Sequence, residues 1–555
     1  MKRVSLQIAF SITFLFSFQF VHGQAWEWAK SGYGNIDDYG QSVVTDAVGN
    51  VYVCGTFNSS TFTYGAGSLI NPGCSFIGEA CDVVYLLKCD PYGNPIWIKS
   101  PTGSGGAISV TIDNNGNILV AGTFYSAAIT FGTTTLINDS NNTADVFLVK
   151  YDTSGNVIWA RSAGGKKDDI ATAVKSDQIG NAYISGYFIS PTITFGTTTL
   201  TNDSPGIADI FIVKYDANGN VKWAKRSGGK EDDEANYLAT DAQCNVYVTG
   251  YFNSPSIIFG HDTLMNGGGY QNMFVVKYDS SGNFIWANDP GSNDNINPAS
   301  ISTDLYGSVY ITGYYWGFTA AFGPFTFTNP DTISSGDTYN LFLLKYDSAG
   351  NIKWARTAIG DNYSQAVSVT NDVAGNVYIA GQTISDNLAF GTDTLPSDIF
   401  LVKYDSTGNV MWAANARGNI GDDFPNCITT DNSGNVYMTG TFASWVMNFG
   451  ATTLRDTNNL YMFLAKYSGA ANTSTGLIKQ QNQDIVVYPN PAITQLTVQA
   501  TNQLISQIII INLLGQVVCD QSCNAEKVVI NIAGLATGVY IVKINGSEVR
   551  KLVKQ

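Results

Sequence analysis

The chain has 555 residues, 13% of them charged, and a net charge of −15 from 29 Lys plus Arg against 44 Asp plus Glu. That length exceeds one ordinary domain, and acidity of this size repels a phosphate backbone or an anionic membrane surface, which argues against nucleic acid as a partner. A low-charge composition rich in Gly, Tyr, Phe, Val and Thr fits a β-rich globular protein rather than a disordered one.

In chain order, the first segment is MKRVSLQIAFSITFLFSFQFVHGQ, with Lys2 and Arg3 ahead of an apolar run from Ile8 to Val21. It predicts a secretory signal peptide over residues 1–23, cut between Gly23 and Gln24. A membrane anchor would need about 20 apolar residues, and this run is shorter and contains Ser and Gln. No later stretch is apolar enough to span, so no transmembrane helix is expected in the mature chain. All eight cysteines lie beyond the signal, where oxidation is permitted. Cys74 with Cys81 is the favoured disulfide. Cys54 with Cys89, on neighbouring predicted strands, and Cys519 with Cys523, in a predicted loop, are further candidates; Cys244 and Cys427 have no evident mates. There is no CxxC pair and His261 is the one mature histidine, which argues against a His/Cys zinc site.

Tryptophans then recur at Trp28, Trp97, Trp159, Trp223, Trp286, Trp354 and Trp412, spaced by 58 to 69 residues. Such a period signals stacked supersecondary units. Each unit carries a string of the kind TDAVGNVYVCGTF, a Phe-Gly element such as Phe131-Gly132 or Phe195-Gly196, and a string of the kind FLVKYDTSGNVIWA. The short alternating runs predict four strands per unit, paired by two D-x-x-G-N turns with a longer connection between strands two and three. Cys244 takes the place of the turn glycine in one copy, at a cost in local stability. Seven such sheets predict an all-β fold, a seven-bladed β-propeller of four-stranded blades over residues 24–468. The array begins with a lone Trp strand, Ala25 to Ser31, and ends with a lone FLAKY strand, Phe463 to Tyr467. Pairing of the two would close the ring and leave no bare edge.

The D-x-x-G-N-x-Y-x-x-G segment followed by F-x-x-K-Y-D-x-x-G-N-x-x-W resembles the SBBP-type β-propeller repeat, from Ala25 to Tyr467. That resemblance implies the fold and little about activity. Residues 469–484 read as a polar linker, and alternating runs over residues 485–555 predict a small β-sandwich. Tyr488-Pro-Asn-Pro491, Asn512-Leu-Leu-Gly515, Leu535-Ala-Thr-Gly-Val-Tyr540 and the terminal Lys551-Leu-Val-Lys554 resemble the C-terminal sorting domain of type IX secretion substrates. The resemblance implies handling by the type IX machinery through residues 485–555. The product would be secreted or held on the outer-membrane cell surface after passage through the periplasm.

No catalytic constellation emerges. A Ser/His/Asp arrangement would have to use His261, which reads as a surface loop residue. The D-x-x-G-x-x-x-W string lacks the Ser and the Arg cluster of sialidase-like propellers, and the turns lack the alternating acids of an EF-hand. The loops from each outer strand to the next inner strand are acidic: Asp37-Asp38, Asp168-Asp169, Asp232-Asp233, Asp294, Asp361 and Asp422-Asp423. They lie on the face of the Phe-Gly connections, opposite the tight turns. A ring of acids could bind calcium or a cationic partner; the plainer reading is that they cap turns and pair with Lys30, Lys166, Lys167, Arg226 or Lys230. The sequence therefore points to a cofactor-free, monomeric binding or adhesion scaffold for a surface glycan or protein. Phe57 to Asp82 and Tyr314 to Asp337 are its irregular contact loops. A glycoside-cleaving enzyme using loop carboxylates and a structural matrix component are the alternatives.

Overall fold

The computed structural model describes residues 25–71, 82–140, 142–268, 270–290, 295–317, 319–329, 339–358, 360, 362–419, 423–456, 459–469, 485–500, 504–512, 517–545 and 548–554. The predicted signal peptide with Gly23 and Gln24, the Cys74 and Cys81 pair, Asp294, Asp361 and Asp422 lie outside these residues. Contacts divide the chain into two compact units with their boundary at Ala470.

In the first unit, the described residues form repeated four-stranded antiparallel sheets, two of them extended to six strands by a short hairpin. Their innermost strands are Asp38–Thr45, Gly105–Ile112, Asp169–Ser176, Asp233–Thr240, Asn295–Thr303, Ser364–Asn371 and Phe424–Thr430. Each touches the next around a cycle that returns from the last to the first, the β-propeller arrangement. In the seventh sheet the outer strand is Trp26–Tyr33, paired with Tyr461–Tyr467 from Trp26↔Tyr467 to Gly32↔Met462. The closure expected from the split string is therefore present. The two middle strands of each sheet have almost every residue buried, as in Val83–Cys89 and Ile118–Phe124. Each apolar cluster draws on two adjacent sheets, as where Leu119 and Leu148 meet Ile184, Phe188 and Phe211. Burial of each such side chain contributes about 1.5–3 kcal/mol.

Thirteen Asp turns close hairpins among the described residues on one pattern, with Ser308 in place of the Asn in the Asp304 turn. In the Asp177 turn, Oδ1 accepts the amides of Ile179 (3.1 Å) and Asn181 (2.9 Å), and Oδ2 accepts the Asn181 side chain at 2.7 Å. The fourth turn position is left-handed, which favours glycine. Cys244 occupies it with φ of +62°.

Two features of the fold go beyond the sequence expectation. The connection between strands two and three is a second, two-stranded hairpin, such as Ala128–Phe131 with Thr134–Ile137 and Thr192–Phe195 with Thr198–Thr201. It packs its Phe on the third strand, with Phe131 and Phe147 centroids 5.0 Å apart. The inner strands also carry a bulge at one common level, at Gln41, Ile108, Thr172, Asn236, Ala299, Val367 and Asn426. A bulge re-aims side chains and tilts the backbone. Here it turns a carbonyl, such as that of Ile170, onto the glycine of the second strand, Gly186, where any Cβ would collide with it. This is the physical reason for the invariant spacing of Gly in NVYVCGTF and its copies.

Among the described residues of the second unit, Ile485–Tyr488, Gln495–Ala500 and Lys527–Asn531 form a three-stranded sheet. Val517–Ala525, Ile505–Asn512, Gly538–Ile544 and Glu548–Lys554 form a four-stranded one. Leu496, Val498 and Ile530 from one sheet share a core with Ile508, Ile510 and Val542 from the other. Two disulfide expectations are corrected. Cys519 and Cys523 lie on a strand rather than in a loop, and both are free. Cys54 and Cys89 lie on paired strands, but Cys54 faces Leu86 and Cys89 faces Val51, so the register keeps the free thiols apart.

Candidate functional site

The tight-turn face is occupied with holding the sheets together. The Lys and Trp of the repeated string both donate to one carbonyl in the outer turn of the following sheet. Lys150 Nζ and Trp159 Nε1 reach Ala217 O at 3.3 and 3.0 Å, and Lys214 and Trp223 reach Ser280 O at 2.7 and 3.4 Å. The same lysines lie over a tyrosine ring and beside an inner-turn aspartate: Lys214 is 4.9 Å from the Tyr183 ring and 3.6 Å from Asp177. A buried ammonium satisfied in this way has no capacity left for a ligand.

The opposite face carries the acidic loops. The second aspartate of each described pair is buried and sealed by a serine that follows the second strand. Asp38 accepts Ser59 Oγ at 2.9 Å, Asp169 accepts Ser190 at 2.9 Å, Asp233 accepts Ser254 at 2.8 Å and Asp423 accepts Ser444 at 2.6 Å. Burial pushes Asp38 and Asp169 up to about 7 and Asp233 up to about 6, against the serine hydrogen bonds that favour the charged form. The first aspartate ties two sheets together: Asp37 accepts Leu460 N, Asp168 accepts Ala144 N and Asp232 accepts Ala208 N, each at 2.9 Å. Capping is thus their structural role. The pairing with basic side chains is corrected: among the described residues Arg226 engages Asp203 and Asp209, and Lys30 engages Asn94. No group of three or more His, Cys, Asp or Glu able to hold a metal converges among them. His261 is an exposed residue of a hairpin turn, 2.9 Å from Asp262.

What this face does present is aromatic. In three consecutive sheets the residue after the second-strand glycine is a tyrosine, Tyr187, Tyr251 and Tyr314, where other sheets have Thr56, Thr123, Gln382 and Thr441. Across the strand pair Tyr251 faces Glu234, and its hydroxyl engages that carboxylate. Burial, opposed by this hydrogen bond, holds Glu234 above the ordinary range. Tyr314, Trp316, Tyr339 and Tyr363 form a continuous cluster, with centroids of 5.1 Å for Tyr314–Tyr339 and 5.0 Å for Tyr339–Tyr363. Rings with polar tips, beside a carboxylate and the amides of Gln365 and Gln382, can stack on a ligand and hydrogen-bond its edge. Sequence reasoning located this face but named its acids instead of its tyrosines; the G-Y-F strings and the F-x-S serines, Ser59, Ser190, Ser254 and Ser444, were the signals available.

Over residues 486–555 the chain matches the family model described as Secretion system C-terminal sorting domain. A type IX tail of this kind marks the chain for export to the cell surface or secretion. A WD repeat-containing protein of Acanthamoeba polyphaga mimivirus is 24% identical over 504 residues, covering 76% of this chain and 36% of its own length. Regulatory protein FlaEY of Caulobacter vibrioides is 25% identical over 411 residues, covering 70% and 41%. The chain therefore spans well under half the length of either relative. Among solved structures, Sqt1 from Chaetomium thermophilum superposes with a TM-score of 0.38 at 8% identity, covering 77% of this chain and 84% of that one. PorZ of Porphyromonas gingivalis, a surface component of the type IX secretion system, gives 0.19 at 10% identity, covering 94% and 100%. Superpositions this loose carry no functional information. No helix among the described residues is long and apolar enough to cross a membrane.

Proposed function

We propose that the protein is an exported, monomeric, seven-bladed β-propeller of the SBBP-repeat type whose loop face binds a surface glycan or protein ligand, without cofactor and without turnover. Signal cleavage between Gly23 and Gln24 would deliver it to the periplasm, and the sorting tail would carry it onward. The observation that supports binding is the run of tyrosines on the loop face, Tyr187 and Tyr251 beside Glu234 and Tyr314 with Trp316 in the next sheet. The buried aspartates support the absence of catalysis. Asp38, Asp169, Asp233 and Asp423 are each turned onto a serine, so none reaches a substrate on the surface.

The test presents mature full-length chain to glycan and peptide arrays and to intact cells. Binding is expected from the wild type and is expected to fall about fivefold or more in a Tyr187→Ala, Tyr251→Ala double variant, since stacking rings supply about 0.5–1.5 kcal/mol each beyond buried area. Polysaccharide cleavage abolished by a single carboxylate substitution would overturn the reading in favour of an enzyme. Self-assembly with no ligand would favour a matrix component.

A further inference from the structure

A cavity of about 550 Å³ runs between the inner strands, lined by residues of all seven sheets. Its lining is polar without being acidic: no Asp or Glu faces it in a chain of net charge −15. One cation does. At the position where the other inner strands place Val44, Thr111, Ala239, Ser302, Thr370 and Thr429, the third strand places Lys175. This ammonium makes no hydrogen bond or ion pair to the protein among the described residues, unlike the buried lysines of the repeat, each of which is held by a carbonyl, a ring or an aspartate. Burial pushes its pKa below the ordinary value, and the Cys427 thiol in the same cavity opposes that shift.

Hydroxyls also line the channel at the bulge level. The serines that follow the bulges accept an amide from the next inner strand: Ser42 from Val110 at 3.3 Å, Ser300 from Val369 at 3.1 Å and Ser368 from Ile428 at 3.0 Å. With one lone-pair direction filled by the backbone, the hydroxyl hydrogens of Ser300 and Ser368 remain to be donated, whereas Ser42 lies 3.8 Å from Cys427 Sγ and Ser109 and Thr172 already donate to Val174 O and Ala235 O. Asn236, re-aimed by its bulge, adds an amide to the lining. Lys175 is partly buried, and on its side of the channel the protein supplies polar groups but no counter-charge.

We propose that this channel is a binding site for a small oxyanion-bearing polar solute, a carboxylate or phosphate ester of monosaccharide size, with Lys175 as its counter-charge and the bulge-level hydroxyls as its hydrogen-bond donors. The channel is lined by different residues from the tyrosine face, and the site stands whether or not that face binds a macromolecule.

The test is titration calorimetry of the mature full-length chain with glucuronate, glucose 6-phosphate and glucose. Binding of at least one charged sugar is expected, with glucose at least tenfold weaker. Response to only one of the two charged sugars identifies the oxyanion and supports the site. Lys175→Met is expected to weaken the charged sugar at least tenfold, and Lys175→Arg to retain it. Amine labelling of the wild type, read by mass spectrometry, gives a measurement that needs no variant: the bound sugar is expected to protect Lys175 and leave Lys166 and Lys167 unchanged. No binding of either charged sugar, equal binding of glucose, unchanged affinity in Lys175→Met, or unprotected Lys175 would each overturn the proposal. Loss of the Tyr187 and Tyr251 rings is expected to leave this binding intact, which separates its failure from failure of the loop-face reading.

Discussion

At the tight-turn face Asp152 and Asp405 lie at the surface, collecting amides; at the loop face Asp38, Asp169 and Asp233 lie sealed under serines. The side-chain and backbone amides of Asn156 hold Asp152 below the usual range. Partial burial raises Asp405, but hydrogen bonds from Thr407 and Asn409 outweigh it and bring it to about 2. The loop-face group is pushed the other way, to about 6 or 7. The same residue type is therefore held in its charged form where a turn must be organised, and has that form disfavoured by burial where two sheets meet. The turn face spends its polar groups internally, while the loop face seals the second aspartate of each pair, leaves Asp168 and Asp232 at the surface and holds Tyr187, Tyr251 and Tyr314 half-buried.

The contrast breaks most severely at the turn-face clamp. Trp159→Ala removes a nearly buried ring, its bond to Ala217 O and its packing on Gly219. It is expected to cost about 3–5 kcal/mol in urea unfolding. A loss under about 1 kcal/mol would show that the clamp is not a main support.

A smaller effect separates the faces by pH. Turn-face carboxylates, with folded pKa values below about 3.8, stabilise the protein above that pH and lose their contribution as pH falls through those values. Loop-face carboxylates behave oppositely: their contribution is complete below about 3.8 and is lost as pH rises through 6 to 7. Asp169→Asn is expected to flatten the decline in stability between pH 4 and 7, and to be more stable than the wild type at pH 8. An unchanged slope in thermal melts would refute the upward shift of Asp169. The smallest change sharpens the turn face alone. Cys244→Gly relieves a left-handed non-glycine residue and is expected to stabilise by about 1 kcal/mol, with no effect on any ligand.

Much of this was legible in the residues. Asp152, Gly155 and Trp159 recur at a fixed spacing because each copy meets the same local demand, a left-handed turn position and a ring to cover the next sheet. The tight-turn hairpins and the closing partner of Trp26–Tyr33 followed from those local rules. The second hairpin after each second strand was missed because ITFGTTTL offers only four residues per strand, too few to separate from a loop by periodicity. The state of Asp169 was also beyond local pattern. Ser190 lies 21 residues away in sequence, and only the packing of adjacent sheets excludes water from the pair. Lys175 marks the same boundary. Its sequence neighbours say nothing of a counter-charge; the convergence of seven inner strands places it in an acid-free channel. Local hydrogen bonding and alternation are properties of short segments, so the sequence determined the strands and turns. Desolvation depends on every chain segment nearby, so only the tertiary structure decided which aspartates burial pushes up and which inner-strand side chains line one channel.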